Sequence, residues 1–492
     1  MLLQPGSCGL YNAWMMVILA LGLWSTLQSE SDAERLVRQL VEKLSSDKVE
    51  ERDDAARKLT ALGRAAVPEL ERASLNRDVE MAERARRILR SIPRLRIGEE
   101  KVLTEIPEGA EFIRAVFSPS GSFAAIVYRN GDNCFLSCRG KASPPLEFPP
   151  SIALSPDGQH VAYQGASDGK TLIGLDDQLL YEGDALWLPP FVFSPDSSSL
   201  AYILNHKGSQ FVCRGKTQGP AFTRVGEPVF RPDGRAIAYA AIEGGQAFVV
   251  AGEVRGRTFR EIPSPPVYSP DGKSLLYAAG RFEESAIVIG DEVRKIEADS
   301  VSELALAPDG KTVAYVAGKD GAYRIVLGRE EVPVFGKIMS PLRFTADGKK
   351  VAYLSKDRDL WYAVLGRRHG EGFPEIDQDS LALSPDGEKL AYAATRGEGW
   401  MTVAGDAVGD PFADARDPIW SPDGSAVAYR ANIGGERKDI EALGGRWLIV
   451  VGDKRSDPFD YVGSPHFSLD GGSVSFGVRR GRKLSWMTVS PK

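Results

Sequence analysis

The feature that most constrains the fold of this chain is a five-residue motif that recurs ten times at a nearly constant spacing. It is an apolar residue followed by Ser-Pro-Asp-Gly or a close variant, and its copies begin at Phe117, Leu154, Phe193, Phe230, Tyr268, Leu306, Phe344, Leu383, Trp420 and Phe467. Successive copies are 37 to 39 residues apart, except for a final step of 47. A constant period of this length is typical of a repeat architecture, so we expect an array of similar structural units.

One copy shows what such a unit is. After the apolar run that ends at Leu306, residues 307–310 read Ala-Pro-Asp-Gly, which is the chemistry of a tight turn closed by a glycine with positive φ. Residues 312–316 are rich in β-forming side chains, 319–321 form a second turn, and 323–327 predict a third strand. Each repeat therefore predicts at least three antiparallel strands.

A fourth strand is predicted after the third. The run 332–335 is one candidate, and Asp410-Pro411-Phe412 and Asp457-Pro458-Phe459 are the corresponding candidates in two later repeats. Four short strands in about 38 residues form an antiparallel meander, which is the blade of a β-propeller. The fold class predicted from the residues is therefore mainly β.

The turn and the strand that follows it also resemble a known family. The turn precedes a hydrophobic-Ala-Tyr strand, which begins at Val161, Leu200, Ile237, Val351, Leu390 and Val427. This combination is similar to the bacterial TolB-like, WD-repeat-like (PD40-type) propeller repeats and covers roughly residues 100–492. The third strand here ends in Gly, where TolB repeats commonly have an Asp-containing turn. The resemblance implies a β-propeller from a repeat family that is largely exported in bacteria.

Ten repeats exceed the usual four to eight blades of a propeller. One alternative is a single ring of ten four-stranded blades, and the other is two smaller propellers in tandem. The unbroken step from Phe117 to Trp420 favours one ring. The long last step contains an insertion at 434–445, which predicts a longer hairpin loop or a short helix. No fourth strand follows Val489, so we expect the stray strand 102–106 to complete the last blade and close the ring.

Two segments precede the propeller, which we place at 97–492. Residues 1–29 contain the apolar run Ala13 to Leu23, which is shorter than a membrane span of about 20 residues and fits a signal peptide or an uncleaved membrane anchor. A mis-assigned start is a further alternative. Residues 30–96 predict a small all-α domain of four helices, and VEERDDAARKLTALGRAAVPELERA resembles a HEAT repeat. Such helical pairs bind protein surfaces or act as spacers.

The charge balance excludes one class of partner. The net charge is −6, with 61 basic and 67 acidic residues, which argues against general nucleic-acid binding. Local basic groups, at 479–483 and at Arg255, Arg257 and Arg260, are interpreted as solvated turns. Cys134 and Cys138 lie four residues apart in one strand and are too distant for a disulfide. Cys138 and Cys213 belong to repeats that are not neighbours in a ring, so we expect free, buried thiols.

No catalytic, cofactor-binding or metal-binding residue is assigned. The four histidines, His160, His206, His369 and His466, show no metal-ligand spacing, and His369 is placed in an exposed turn. The G-x-S-x-G segment 165–169 aligns with a hairpin turn and is followed by no helix, so it is interpreted as a turn and not as a hydrolase elbow. The turn aspartates are expected to serve turn geometry, namely Asp157, Asp233, Asp271, Asp309, Asp386 and Asp423.

The sequence thus predicts a non-enzymatic binding scaffold of the bacterial cell envelope. We expect it to be exported to the periplasm or the envelope, with Ala13 to Leu23 as a possible membrane anchor. Its expected partner is a protein or an envelope component, without cofactors and without nucleic acid, and the chain is expected to be a monomer. The alternative is a propeller-based hydrolase or lyase acting on a glycan or a peptide.

Overall fold

A computed structural model describes residues 32–490 of the chain, except 63–65, 75, 77, 92–94, 282–283, 398, 435 and 439–440. The chain divides into two compact units, Met1–Pro93 and Arg94–Lys492. The run Ala13 to Leu23 lies outside the described residues. Among the described helices, none is both long and apolar enough to cross a membrane.

Among its described residues, the first unit contains four helices, the number that the sequence predicts, which are α1 (Asp32–Glu42), α2 (Val49–Leu62), α3 (Val67–Ala73) and α4 (Val79–Ser91). A 3-10 turn, Lys43–Ser45, continues α1. Their apolar faces form one core, in which Leu44, Leu59 and Leu70 are fully buried. Pro68 lies in the first turn of α3, where its missing N–H costs nothing. The resemblance to HEAT repeats stays a prediction.

The second unit consists of ten four-stranded blades, as predicted. The closing strand and blades 1 to 5 comprise β1 (Arg96–Glu105); β2 (Glu111–Phe117), β3 (Ala124–Asn130), β4 (Asn133–Cys138), β5 (Lys141–Ala142); β6 (Ser151–Leu154), β7 (Val161–Ser167), β8 (Lys170–Leu175), β9 (Gln178–Gly183); β10 (Leu186–Phe193), β11 (Leu200–His206), β12 (Ser209–Arg214), β13 (Thr217–Gln218); β14 (Arg224–Val225), β15 (Val229–Phe230), β16 (Ile237–Glu243), β17 (Gln246–Ala251), β18 (Val254–Arg255); β19 (Val267–Tyr268), β20 (Leu275–Ala279), β21 (Ala286–Ile289) and β22 (Glu292–Lys295).

Blades 6 to 10 comprise β23 (Ser300–Leu306), β24 (Val313–Lys319), β25 (Ala322–Leu327), β26 (Glu330–Pro333); β27 (Lys337–Ile338), β28 (Arg343–Phe344), β29 (Val351–Asp357), β30 (Leu360–Leu365), β31 (Arg368–His369); β32 (Glu375–Ile376), β33 (Ala382–Leu383), β34 (Leu390–Thr395), β35 (Trp400–Ala404), β36 (Ala407–Val408); β37 (Asp414–Trp420), β38 (Val427–Ile433), the hairpin β39 (Glu436–Lys438) and β40 (Glu441–Leu443), β41 (Arg446–Val451), β42 (Lys454–Arg455); β43 (Tyr461–Val462), β44 (His466–Phe467), β45 (Val474–Arg480) and β46 (Lys483–Ser490).

Neighbouring strands of a blade pair antiparallel, and in blades 1 to 9 they follow one another in chain order. In blades 4, 7, 8 and 10 the innermost position is shared by two short strands that both pair with the second strand. The predicted fourth strands at Asp410-Pro411-Phe412 and Asp457-Pro458-Phe459 are wrong. The fourth strands, β36 and β42, begin two positions after the Gly that ends the third strand. Phe412 and Phe459 instead form isolated bridges to Trp400 and Trp447 at the start of the third strand.

Adjacent blades pack closely because the central Ala of the hydrophobic-Ala-Tyr strand is small. This residue is fully buried in seven blades, at Ala162, Ala201, Ala238, Ala314, Ala352, Ala391 and Ala428. The neighbouring Tyr meets a Phe from the outer segment of the preceding blade edge-to-face, for example Phe373 and Tyr392 with ring centroids 6.1 Å apart. The repeated pattern thus supplies one apolar seam for each pair of neighbouring blades.

The blades form one closed ring and not two rings in tandem. Every pair of consecutive blades shares a hydrophobic cluster, and a further cluster joins blade 1 to blade 10 through Phe117, Ile106 and Leu484. Tyr461 of blade 10 donates a hydrogen bond to the carbonyl oxygen of Ala115 in blade 1, at 2.9 Å.

Strand β1 closes the ring as the sequence predicts. It pairs antiparallel with β46 and is the outermost strand of blade 10, with Val102 opposite Ser485 and Glu105 opposite Lys483. It starts at Arg96, earlier than the predicted 102–106. The insertion in blade 9 is the β-hairpin of β39 and β40, and not a helix.

Candidate binding face of the propeller

The turn aspartates act as predicted in the turns between the first and second strands. Asp309 accepts hydrogen bonds from the backbone N–H groups of Lys311 and Thr312, at 2.8 and 2.9 Å. Asp423 accepts from the Ser421 hydroxyl and the Ser425 N–H, at 2.6 and 3.0 Å, which lower its pKa to about 2. These carboxylates accept hydrogen bonds within their own turns. They therefore do not come together to form a common catalytic or metal-binding site.

The structure gives the G-x-S-x-G segment and two of the histidines local structural roles. Asp168 and Gly169 of the G-x-S-x-G segment form the tight turn between β7 and β8, both with positive φ, as predicted. His369 lies in the outer strand β31 and not in a turn, and its ring stacks on Phe335 at 4.0 Å. His160 contacts Asp176 at 2.7 Å.

The cysteines follow the expectation of free, buried thiols in part. Cys134 and Cys213 are free and buried, as expected, and Cys138 is free and half-buried. Burial raises the pKa of Cys213 to about 12, which keeps this thiol protonated and unreactive. Among the described residues, no group of three or more His, Cys, Asp or Glu is arranged to hold a metal ion.

The basic cluster at 479–483 is a hairpin tip, but its arginines are not simply solvated. The Arg482 Nε donates to the Ile106 carbonyl oxygen at 2.9 Å, and Arg480 forms an ion pair with Glu100 at 2.9 Å. The Arg479 guanidinium lies over the Phe112 ring, 4.5 Å from its centroid. These arginines bind the closing strand and blade 1, so their role is to hold the ring closed.

Polar side chains that break the repeat occur on the innermost strands. Three residues before the first residue of the turn motif, most blades carry Pro or Ser, but four carry a charged residue, namely Arg114, Glu227, Glu303 and Asp417. Innermost strands line the central channel of a propeller, and equivalent positions of the blades lie at one height of it. The four residues therefore occupy equivalent positions of the innermost strands, at one level along the channel.

Two of these residues have an unusual backbone. Glu303 and Asp417 have φ of 51° and 53°, and both lie in irregularities of the pairing with the second strand. A bulge re-aims a side chain, and a left-handed conformation in a residue other than Gly is strained. Asp417 accepts a hydrogen bond from Ser464 and forms an ion pair with Arg430, both at 2.7 Å. Burial raises the pKa of Glu303.

We call the side of the ring that carries the loops into the innermost strands and the second-to-third-strand hairpins the entry face. Between blades 4 and 5 this face contains a cleft of about 540 Å³. We call its aliphatic lining, which includes Val225, Ile242 and Ile262, the floor, and its basic side chains are Arg224, Arg260 and Arg281. These arginines come from three separate segments, which are the start of β14, the loop into β19 and the hairpin after β20.

The charges in the cleft are only partly paired. Arg281 forms an ion pair with Glu261 at 3.5 Å. The guanidinium groups of Arg224 and Arg260 are exposed and make no hydrogen bond or ion pair with the described residues. Glu227 is accessible to solvent, yet the walls enclose its carboxyl enough for burial to raise its pKa. The cleft thus offers two unpaired cations above an apolar floor.

Sequence reasoning missed this cleft. Arg260 was interpreted as part of a solvated turn, and Arg224, Arg281 and Glu227 carried no motif. The repeat alignment held one signal, because Glu227 occupies the position where most blades have Pro or Ser. Arg224 lies in blade 4, and Arg260 and Arg281 lie in the loop into blade 5 and in blade 5 itself. The three residues become neighbours only because the two blades pack together in the propeller.

These features define a ten-bladed β-propeller with a polar channel level and a basic cleft on its entry face. No protein-family model matches the chain, and no curated protein sequence does. Solved structures match at low similarity. One titled a crystal structure of the eukaryotic initiation factor has 13% identity and a TM-score of 0.38, covering 73% of this chain and 92% of its own.

Two further matches have informative titles. An oligogalacturonate lyase in complex with manganese has 13% identity and a TM-score of 0.33, covering 65% of this chain and 97% of its own. TolB from Acinetobacter baumannii has 17% identity and a TM-score of 0.23, covering 69% of this chain and 78% of its own. At these values the matches carry no argument about function, and the fold assignment rests on the sheet topology.

Proposed function

We propose that this protein is a non-enzymatic scaffold of the bacterial cell envelope that binds a protein partner through the entry face of its propeller. The observation that supports this most is the uneven distribution of the residues that break the repeat. The turns on the opposite face follow one plan, in which Leu469 is an exposed apolar exception, whereas the entry face carries the basic cleft between blades 4 and 5 and, outside the turn motif, the exposed apolar residues Phe148 and Leu186. Exposed apolar surface beside polar groups is typical of interaction sites.

Site-specific photo-crosslinking in the living cell tests the proposed face. A photoreactive phenylalanine analogue would replace Phe148 or Leu186, which are 67% and 65% exposed on the entry face. The matched control is Leu469, which is 99% exposed in a turn on the opposite face. We expect a discrete crosslinked protein from the first two positions and none from the third. Crosslinks of equal yield from both faces would overturn the proposal.

Export is the second part of the proposal, and it rests on the apolar run Ala13 to Leu23 and on the resemblance to exported repeats. A reporter fused after Lys492 reports where the propeller resides. We expect activity from a reporter that folds only after export. Activity confined to a reporter that works only in the cytoplasm would contradict this localisation.

The enzymatic alternative has one observation in its favour. Glu303 lies at the channel level in a strained conformation, its carboxyl makes no hydrogen bond or ion pair with the described residues, and burial raises its pKa. A carboxyl with these properties is a candidate general acid. The protein would be incubated with acidic and neutral polysaccharides and with peptides. Cleavage that is lost in Glu303→Gln would establish the enzyme and overturn the scaffold.

A further inference from the structure

The cleft between blades 4 and 5 has a composition that restricts its ligand. Two exposed arginines, Arg224 and Arg260, have no partner among the described residues, and a third, Arg281, is held by Glu261 at 3.5 Å. The floor between them is aliphatic, with Val225, Ile242 and Ile262 among its residues. A guanidinium pairs best with a planar anion such as a carboxylate, through two parallel hydrogen bonds.

We infer that this cleft binds an acidic peptide segment of the partner protein, with carboxylate side chains on Arg224 and Arg260 and an aliphatic side chain on the floor. This inference rests on the proposed function, because it names the partner chemistry of the same face. A volume of about 540 Å³ holds a few side chains and not a folded element.

Two observations favour a peptide over an acidic sugar or a simple anion. Among the described residues that line the cleft, none is aromatic, whereas a sugar ring is commonly held by stacking on an aromatic side chain. Glu227 lies in the same cleft, and a carboxylate there repels a simple anion but accepts hydrogen bonds from peptide N–H groups. An acidic peptide satisfies the arginines and Glu227 together.

Ser264 is an independent sign that the cleft takes a polar ligand. It lines the cleft, and its hydroxyl is buried with no hydrogen-bond partner. A buried hydroxyl without a partner is unfavourable, and such groups are rare in folded proteins. A rotation of the Ser264 side chain would present this hydroxyl to a ligand carbonyl or carboxylate, so binding would satisfy it.

A selection from a random decapeptide display library tests the inference without knowledge of the natural partner. The full chain is immobilised, and the selected peptides are compared with the unselected library. We expect enrichment of Asp or Glu next to Leu, Ile or Val. Selected peptides in which Asp and Glu are replaced by Asn and Gln should bind at least about tenfold more weakly, because charge-assisted hydrogen bonds become neutral.

Charge reversal locates the site. Arg224→Glu with Arg260→Glu should abolish binding of the selected peptides, whereas Arg329→Glu with Arg367→Glu should leave it within about twofold. Arg329 and Arg367 are a matched control, because they are also exposed and lie in third-to-fourth-strand turns of blades 6 and 7. If the first pair lowers the melting temperature, Arg224→Gln with Arg260→Gln replaces it.

The outcomes separate this inference from the proposed function. A selection without acidic enrichment overturns the acidic peptide. Acidic peptides that bind the cleft variant as well as the original chain overturn the site, but leave the propeller as a protein-binding scaffold. If both pairs of substitutions weaken peptide binding equally, the effect is one of general charge, and the proposed site is also overturned.

Discussion

The contact of Phe117 with Gly477 allows a direct test of ring closure. Phe117 belongs to blade 1 and Gly477 to blade 10, and both are buried. A Cβ added at Gly477 would lie 2.1 Å from Cγ of Phe117 and 2.2 and 2.3 Å from its Cδ atoms. Non-bonded atoms in proteins do not approach so closely, so in Gly477→Ala the phenyl ring of Phe117 must leave its position. Gly477 does not need a positive φ, so the expected effect is steric alone.

The expected loss in the free energy of unfolding follows from the packing around the phenyl ring of Phe117. Phe117 is only 7% exposed and stacks against Tyr461 at 6.5 Å, so it has little room to move. Overpacking of this kind costs about 1 to 3 kcal/mol. For a unit as large as Arg94–Lys492 the melting temperature should fall by roughly 1 to 4 °C. The assay is thermal unfolding followed by circular dichroism.

A second substitution makes the test specific for closure. Phe117→Leu is itself destabilising, but it makes room for the new methyl group. The double variant should therefore be more stable than the sum of the single effects predicts, by about 1 kcal/mol or more. The control is Gly226→Ala, whose Cβ would lie 3.5 Å from the nearest atom, an ordinary contact. Strict additivity of Gly477→Ala with Phe117→Leu would refute the single closed ring.

Three further predictions concern the turns and the closing strand. Gly310 has φ of 68°, and a Cβ there would lie 3.0 Å from Cδ of Pro270 in the preceding blade. Gly310→Val should therefore lower the free energy of chemical unfolding by about 1 kcal/mol or more. An unchanged midpoint of the unfolding curve would contradict this. The Asp423 carboxylate has its pKa lowered to about 2, first by the Ser421 hydrogen bond. It therefore stabilises the fold above its unfolded pKa of about 3.9, and this contribution disappears as the pH falls through about 2. Asp423→Asn should melt below the original protein at neutral pH and converge with it in acid, and a gap independent of pH would exclude this cause. Deletion of 99–109 removes most of β1 and exposes the edge of β46, so light scattering should show aggregation, whereas deletion of the hairpin at 435–445 should not.

Some of the candidate site could be predicted from the sequence, and the reason is its local origin. Asp309, Asp423 and the hairpin at 165–169 make their contacts with residues within five positions in the chain. The local sequence is therefore enough to predict their roles in turns. The fourth strand was misplaced for the opposite reason. Phe412 is a typical strand residue, but it is held by one bridge to Trp400, and composition does not show this.

The sequence by itself determined the repeat, the blade and the number of blades, because the period and the turn chemistry repeat in every copy. It also predicted the closing strand, since a missing fourth strand and an orphan strand complete each other. Only the tertiary structure decided that the ten blades form one ring, through the contact of Phe117 with blade 10. It alone decided the cleft as well. Arg224, Arg260 and Arg281 are far apart in the chain, and no periodicity links them, because they become neighbours only when blade 4 packs against blade 5.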